Sequence, residues 1–198
     1  MSAWGWNLIS RTDKNGGVTT LVYDCLGQLT DMTDALGFSE TYAYDANGNM
    51  TGLTDKNGNS TTYGFDCQGR KTSITDALGF TETFTFDAAG NMTGHTDKNG
   101  HQTTYVFDCN AQVTSVTDPL GNSMTKVYDA AGNVIHIIDR KGFTYTFSYD
   151  ALERQTSAMD PAGYSVLFGY DVMGNMTSQT DRNGNVTYFA YDCMNRQV

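Results

Sequence analysis

The chain is built on a repeat of 21 residues, and this period constrains the fold more than any other feature of the sequence. An aromatic residue followed by aspartate recurs nine times, and every interval is 21 residues. The aspartates of these pairs are Asp24, Asp45, Asp66, Asp87, Asp108, Asp129, Asp150, Asp171 and Asp192. A second aspartate series, from Asp13 to Asp181, interleaves with the first at the same interval. No insertion or deletion interrupts either series, so the chain is an array of equal units.

Both aspartate series are typical of turns. Each aspartate of the second series is followed three residues later by glycine, from Gly16 to Gly184. This spacing favours a type I turn, since the carboxylate accepts hydrogen bonds from backbone N–H groups and glycine tolerates a positive φ. The stretches between turns, such as 60–65 and 71–75, have the length of strands and are rich in threonine, aromatic and β-branched residues. No stretch has helical periodicity, so nine strand–turn–strand–turn units predict about eighteen strands.

The predicted strands have two different faces. Most strands that end at an aromatic–aspartate pair carry two aromatic residues at alternate positions, which places both on one side. These pairs are Tyr42/Tyr44, Tyr63/Phe65, Phe84/Phe86, Tyr105/Phe107, Phe147/Tyr149, Phe168/Tyr170 and Phe189/Tyr191. The opposite side carries Thr20, Thr41, Thr62, Thr83, Thr104, Thr125 and Thr146. We expect the aromatic face to pack as a core, and a surface that stacks against sugar rings is the alternative.

Two β folds fit this repeat, an antiparallel hairpin meander and a parallel β-solenoid with one coil per unit. In a solenoid, equivalent aspartates would lie about 4.8 Å apart, and like charges facing each other across a sheet destabilise it. In a meander they lie roughly 9–10 Å apart, close to the Debye length. The sequence therefore favours an all-β antiparallel meander that forms a twisted ribbon or open spiral. We expect a single array over 1–198, with nine repeats over about 3–192 and incomplete repeats at the ends.

The acidity of the chain comes from its turns. The formal net charge is −10, and 18 of the 19 aspartates belong to the two series. Because 22 acidic residues outnumber 12 basic ones, the chain is not predicted to bind nucleic acid. No apolar run approaches the 18 or so residues that span a bilayer, so we predict no membrane span, and no signal peptide is visible.

The sequence predicts no catalytic, cofactor-binding or metal-binding residues, and we do not expect an enzyme. The four cysteines, Cys25, Cys67, Cys109 and Cys193, lack zinc-ligand spacing. Neighbouring cysteines would lie roughly 19 Å apart in a ribbon, too far for a disulfide. We expect free, half-buried thiols, with inter-chain disulfides as the alternative. The histidines His95, His101 and His136 occupy different repeat positions, and none is paired with a nucleophile, so we interpret them as chance substitutions.

The run from Tyr44 to Asp66 combines the elements Tyr-Asp, Gly-Asn-Met-Thr and Thr-Asp at fixed spacing. It resembles the YD repeat of Rhs proteins, which also occurs in insecticidal Tc toxin subunits and in teneurins. Many members have Gly-Arg after Tyr-Asp; Gly69-Arg70 keeps this pair, whereas other repeats have Gly-Asn. The resemblance implies a β-hairpin ribbon that spirals into a hollow shell, which in Rhs and Tc proteins encloses a C-terminal toxin. Nine repeats are expected to be too few to close such a shell.

The resemblance implies a non-catalytic structural segment of an Rhs-type shell, in an exported toxin-delivery or cell-surface protein. Its expected partners are the rest of a larger shell or copies of itself, together with a toxin cargo or a surface glycan. Unpaired edge strands at both ends of the array favour an alternative, a self-assembling extracellular filament or adhesin. Trp4 and Trp6 are expected to shield one edge or to bind a partner. A carbohydrate-binding module that uses the aromatic face is a third hypothesis.

Overall fold

The computed structural model describes residues 7–198, which form two compact units that divide between Gln102 and Thr103. Trp4 and Trp6 lie outside the described residues, so their expected role stays a prediction. The strands of the first unit are β1 Ser10–Thr12, β2 Val18–Tyr23, β3 Leu29–Thr33, β4 Ser39–Tyr44, β5 Met50–Thr54, β6 Ser60–Phe65, β7 Lys71–Thr75, β8 Thr81–Phe86 and β9 Met92–Thr96. Each strand pairs antiparallel with the next strand along the chain, from β1 with β2 to β8 with β9.

The second unit repeats this arrangement. Its strands are β10 Gln102–Phe107, β11 Val113–Thr117, β12 Ser123–Tyr128, β13 Val134–Ile138, β14 Thr144–Tyr149, β15 Gln155–Met159, β16 Ser165–Tyr170, β17 Met176–Thr180 and β18 Val186–Tyr188. Successive strands again pair antiparallel, from β10 with β11 to β17 with β18. The predicted hairpin meander is therefore confirmed, and the alternative of a parallel solenoid is wrong. The strands predicted at 60–65 and 71–75 coincide with β6 and β7.

A β-bulge recurs wherever a strand that ends in an aromatic residue pairs with the strand that follows it. Between β4 and β5, Tyr42 pairs with Leu53 and Tyr44 pairs with Met50, while Thr51 has no partner in the register. Residues three apart on a regular strand face opposite sides of the sheet. The unpaired Thr51 changes this, so that Met50 and Leu53 both face the aromatic side. The sequence repeat did not predict the bulge, because the composition of the strands does not reveal which residues of neighbouring strands pair.

Glycine at the fourth turn position has a positive φ in both aspartate series, for example 82° at Gly58. Three turns that follow an aromatic–aspartate pair place another residue there, and Ala111, Glu153 and Asn195 have φ between 60° and 63°. A left-handed conformation costs a residue with a Cβ about 1–2 kcal/mol. These three turns are therefore locally strained.

Replacing Glu153 by glycine should increase the free energy of unfolding by about 1 kcal/mol, because it removes a Cβ from the left-handed region. Urea denaturation monitored by circular dichroism measures the change. Glu153→Gln removes the same charge but keeps the Cβ, so it is the matched control and should give less than half of that increase. An equal gain from both variants would assign the effect to charge and would contradict backbone strain at this turn.

Candidate functional site

Each turn is closed by one oxygen of its aspartate. In the turn at Asp55, Oδ1 accepts hydrogen bonds from the backbone N–H groups of Asn57 at 2.8 Å and Asn59 at 2.9 Å. The Gly58 N–H donates to the Asp55 carbonyl at 2.9 Å, and the Asp55 N–H donates to the Asn59 carbonyl at 2.9 Å. This is a three-residue hairpin loop, a type I turn followed by a left-handed residue. The predicted turn role of the two aspartate series is confirmed.

The turns lie at two opposite ends of the strands in each unit. We name the end that carries turns of the Asp13 series the TD end, and the end that carries turns of the Asp24 series the YD end. In most turns at the TD end, the second aspartate oxygen has one of two kinds of partner. In some turns the fifth residue is asparagine, and its Nδ2 donates to that oxygen, as from Asn59 to Asp55 at 3.0 Å and from Asn185 to Asp181 at 2.8 Å.

The other kind of partner is a cation from the next turn at the same end. Lys56 Nζ lies 2.8 Å from Asp34 Oδ2, a residue 22 positions earlier in the chain. Three further ion pairs recur at 42-residue steps, and they join Lys98 to Asp76, Arg140 to Asp118 and Arg182 to Asp160 at 2.8, 3.3 and 3.0 Å. We call a hydrogen bond or ion pair that joins two successive turns at one end a cross-turn contact. Cross-turn ion pairs therefore link the TD turns two by two.

These partners keep the aspartates ionised. The side-chain hydrogen bond from Lys56 holds the pKa of Asp34 below its ordinary value, and the bond from Asn59 does the same for Asp55. The hydrogen bond to Asp34 raises the pKa of Lys56. Both members of the ion pair are thus charged near neutral pH, and the turn carboxylates already have hydrogen-bond donors.

At the YD end, arginine joins successive turns. Arg70 Nε donates to Asp66 Oδ2 at 2.7 Å, and its Nη1 donates to the carbonyl of Asp87 in the next YD turn at 2.8 Å. Its guanidinium also lies 4.7 Å from the centre of the Phe86 ring, within the range of a cation–π contact. Arg154 makes the equivalent contacts with Asp150, Asp171 and Tyr170. The arginine of the Gly-Arg pair noted in the sequence thus makes a cross-turn contact.

Tyrosine hydroxyls join neighbouring strands near the YD end of the second unit. The last residue of β12, Tyr128, donates its hydroxyl hydrogen bond to the carbonyl of Val113 at 2.8 Å, 15 residues earlier. The same offset recurs for Tyr149 to Val134, Tyr170 to Gln155 and Tyr191 to Met176, at 3.1, 2.9 and 3.1 Å. In these four YD pairs of the second unit, the tyrosine therefore also holds the previous strand.

The aromatic face is half-buried and not fully enclosed. Among residues 7–198, no hydrophobic side chain is fully buried, which corrects the expectation of a closed core. The rings lie directly opposite aliphatic side chains of the next strand, as Tyr63 opposite Ile74 and Tyr105 opposite Val116. The aromatic residues thus pack sideways along the sheet of each unit, while their outer surfaces remain partly accessible.

Two separate polar pairs on this face were missed by the sequence reasoning. His95 Nε2 lies 2.6 Å from Glu82 Oε1, and the imidazole stacks on Phe84 with ring centres 5.1 Å apart. Tyr42 donates its hydroxyl hydrogen bond to Glu40 at 2.8 Å, and burial raises the pKa of Tyr42 to about 12. His95 is therefore a packed and hydrogen-bonded member of the face. Only the strand register, which the sequence does not reveal, brings it opposite Phe84.

The cysteines differ from expectation in their exposure. Cys25, Cys67, Cys109 and Cys193 are free, as predicted, but all four are exposed and not half-buried. Within the described part of the chain, no group of three or more His, Cys, Asp or Glu residues could hold a metal ion. Residues 7–198 also contain no helix long and apolar enough to cross a membrane. The absence of catalytic and ligand-binding residues stays a prediction.

Comparison with known families identifies the repeat. The Teneurin YD-shell model matches residues 59–198, and the RHS Repeat model matches residues 2–39 and 23–60. The chain therefore belongs to the YD-shell family of repeat proteins, as the Tyr-Asp spacing indicated. No curated protein sequence gives a significant match.

Solved structures share the fold. The chain is similar to the crystal structure of TcdB2-TccC3-Cdc42, with a TM-score of 0.61 and 18% identity over 92% of this chain. A Tc holotoxin pore of Photorhabdus luminescens gives a TM-score of 0.60, also with 18% identity over 92% of this chain. The chain covers only 12% of each of those chains. At this identity the likeness establishes the fold alone.

Proposed function

We propose that the chain is a non-catalytic structural segment in the wall of a larger YD shell, within an exported toxin-delivery or cell-surface protein. The observation that carries the proposal is the match of the YD-shell model to residues 59–198. Antiparallel meanders in both units and the small share of the Tc chains covered, 12%, are consistent with a wall segment. The remaining wall and an enclosed toxin are the proposed partners.

The geometry supports a structural role in a second way. In most turns the aspartate carboxylate is already occupied, because its oxygens accept bonds from backbone N–H groups and from asparagine or a cation. The half-buried aromatic face leaves one side of each sheet apolar and accessible in part, so it can line an enclosed volume. Polar threonines occupy the other side, as at Thr41 opposite Thr54.

A self-assembling filament is the second candidate, and the exposure of the terminal strands favours it. All residues of β1 and β18 are exposed, and unpaired strand edges can pair with other chains. Size-exclusion chromatography and negative-stain microscopy over a wide concentration range separate the two proposals. A wall segment should give no regular fibre at any concentration. Filaments that lengthen with concentration would contradict the first proposal and support the second.

A surface glycan is the third candidate partner, and one part of the aromatic face favours it. Phe143, which is 53% exposed, and Tyr145 separate two shallow grooves of about 540 and 510 Å³. Arg140 lines one groove and Arg182 the other, so each offers hydrogen-bond donors beside an aromatic ring. A glycan array should then give signals that Tyr145→Ala removes, whereas silence across the array would exclude this candidate.

A further inference from the structure

Cross-turn contacts stabilise some strands of the first unit more than others. In a meander, a turn connects two neighbouring strands at one end only. At their other ends, side-chain contacts supplement the backbone ladder where they occur. Lys56 and Asp34 join the free ends of β4 and β5. Arg70 joins those of β7 and β8 by reaching the Asp87 carbonyl. The number of such contacts therefore differs from strand to strand.

Cross-turn contacts join β8 to both of its neighbouring strands, in each case at the end that no turn connects. Arg70 reaches across β7 and β8 at the YD end, where it also contacts the ring of Phe86. Lys98 Nζ lies 2.8 Å from Asp76 Oδ2 and spans β8 and β9 at the TD end. The pair of His95 and Glu82 adds a further side-chain bond between β8 and β9.

Strand β6 has neither kind of contact. At the TD end, Ala77 occupies the position that Lys56 and Lys98 hold in their turns, so no cation reaches Asp55. At the YD end, β6 ends in Phe65, which lacks the hydroxyl that Tyr128 uses to hold the preceding strand. Among the residues that the structure describes, no cross-turn contact joins the free end of β6 to that of β5 or β7. The strand is held by the backbone ladder, by packing on the aromatic face, by the hydroxyl bond between Thr54 and Ser60 at 2.9 Å and by Lys71, whose Nζ lies 4.4 Å from the centre of the Tyr63 ring.

We propose that β6 opens by local unfolding before β8 does. Local opening begins where few side-chain contacts supplement the backbone hydrogen bonds. The proposal does not depend on the proposed function. In a shell wall, the stretch around β6 would then flex more readily than the stretch around β8.

Strand β14 of the second unit provides a structural comparison with β6. It occupies the same position in the repeat as β6, four 21-residue repeats later in the chain. Pro161 stands there in place of a TD cation, but Tyr149 donates its hydroxyl bond to the Val134 carbonyl at 3.1 Å. Strand β14 is therefore joined on one side, whereas β6 is joined on neither.

Hydrogen–deuterium exchange of the whole chain, followed by mass spectrometry of peptides covering β6 and β8, tests the proposal. We expect the amides of β6 to exchange at least about fivefold faster than those of β8, the factor given by one hydrogen bond of typical net strength. High salt should reduce the difference in exchange rate between β6 and β8, because it screens the exposed ion pair of Lys98 and Asp76. Equal exchange in the two strands, or slower exchange in β6, would overturn the proposal.

Gain-of-contact variants provide the sharper test. Phe65→Tyr places a hydroxyl 15 residues after Met50, the separation at which Tyr128 donates to the Val113 carbonyl. The new hydroxyl can therefore donate to the Met50 carbonyl. Ala77→Lys places a cation 22 residues after Asp55, as Lys56 is after Asp34. Each should slow exchange in β6 by about two- to fivefold and leave β8 unchanged.

Two controls make the outcome specific. Ala77→Met has similar length to lysine without the charge and should leave exchange in β6 unchanged. Lys98→Met removes a contact from β8 and should accelerate exchange there but not in β6. If the gain-of-contact variants fail to slow β6, or slow β6 and β8 equally, local opening at β6 is contradicted.

Discussion

Acidification should unfold the chain, with its stability nearly constant from neutral pH down to about pH 5 and lost steeply below about pH 4. Thirteen aspartates have a pKa below the ordinary value in the folded chain, because they accept hydrogen bonds from side chains and from backbone N–H groups. A lowered folded pKa contributes stability above the unfolded value of about 3.9, and the contribution disappears as the pH falls through the folded pKa. The effect is large because the same turn recurs along the chain.

The urea midpoint of unfolding, measured by circular dichroism at a series of pH values, checks this dependence. The midpoint should fall over the same pH range in which the aspartates titrate. The variant His101→Asn is the control, because it removes an exposed histidine that lies 3.2 Å from Asp97 and leaves the aspartates in place. That variant should keep the steep loss at acid pH. A urea midpoint that is unchanged down to pH 3 would contradict the role of ionised aspartates in the turns.

Replacing Asp160 by alanine should lower the free energy of unfolding by about 2–3 kcal/mol, a large effect for one turn residue. Asp160 Oδ1 accepts hydrogen bonds from the N–H groups of Ala162 and Tyr164, both at 3.0 Å, and Oδ2 lies 3.0 Å from Arg182. Its side chain is only 12% exposed. Alanine would leave two backbone donors without their acceptor and Arg182 without its partner.

Two variants separate the contributions at this turn. Asp160→Asn keeps an oxygen that can accept both backbone bonds, so it should lose less than half as much stability. Arg182→Met removes the ion pair alone and should lose about 0.5 kcal/mol, since the arginine is largely exposed. Denaturation curves in urea give the three values. Equal losses for the alanine and asparagine variants would contradict the assignment of most of the effect to the backbone bonds.

The secondary structure was predictable because turn chemistry is local. Asp at the first and Gly at the fourth position define a hairpin loop without reference to the rest of the chain, and the strands are what remains between loops. This local rule located β6 and β7 at their observed bounds. The antiparallel pairing followed from electrostatics, since equivalent aspartates would repel at the spacing of a parallel stack.

The contacts between repeats were not predictable, because they depend on register. The unpaired Thr51 shifts which residues face each other, and composition gives no sign of it. The ion pair of Lys56 with Asp34 spans 22 residues, one more than the repeat, so its partners occupy unlike positions. The prediction that Cys67 is half-buried was also wrong, since a residue at the tip of a hairpin loop has no neighbouring strand to cover it.

Electron cryo-microscopy of the native polypeptide that contains this sequence tests directly whether the chain is a segment of a shell wall. We expect the repeats to form part of the wall of a closed shell, with Tyr63 and the other aromatic-face residues directed to the enclosed volume. The threonine side, with Thr62, should then face outward. A particle in which these repeats form an isolated or fibrous assembly, with the aromatic face toward solvent, would contradict the assignment of the chain to a shell wall.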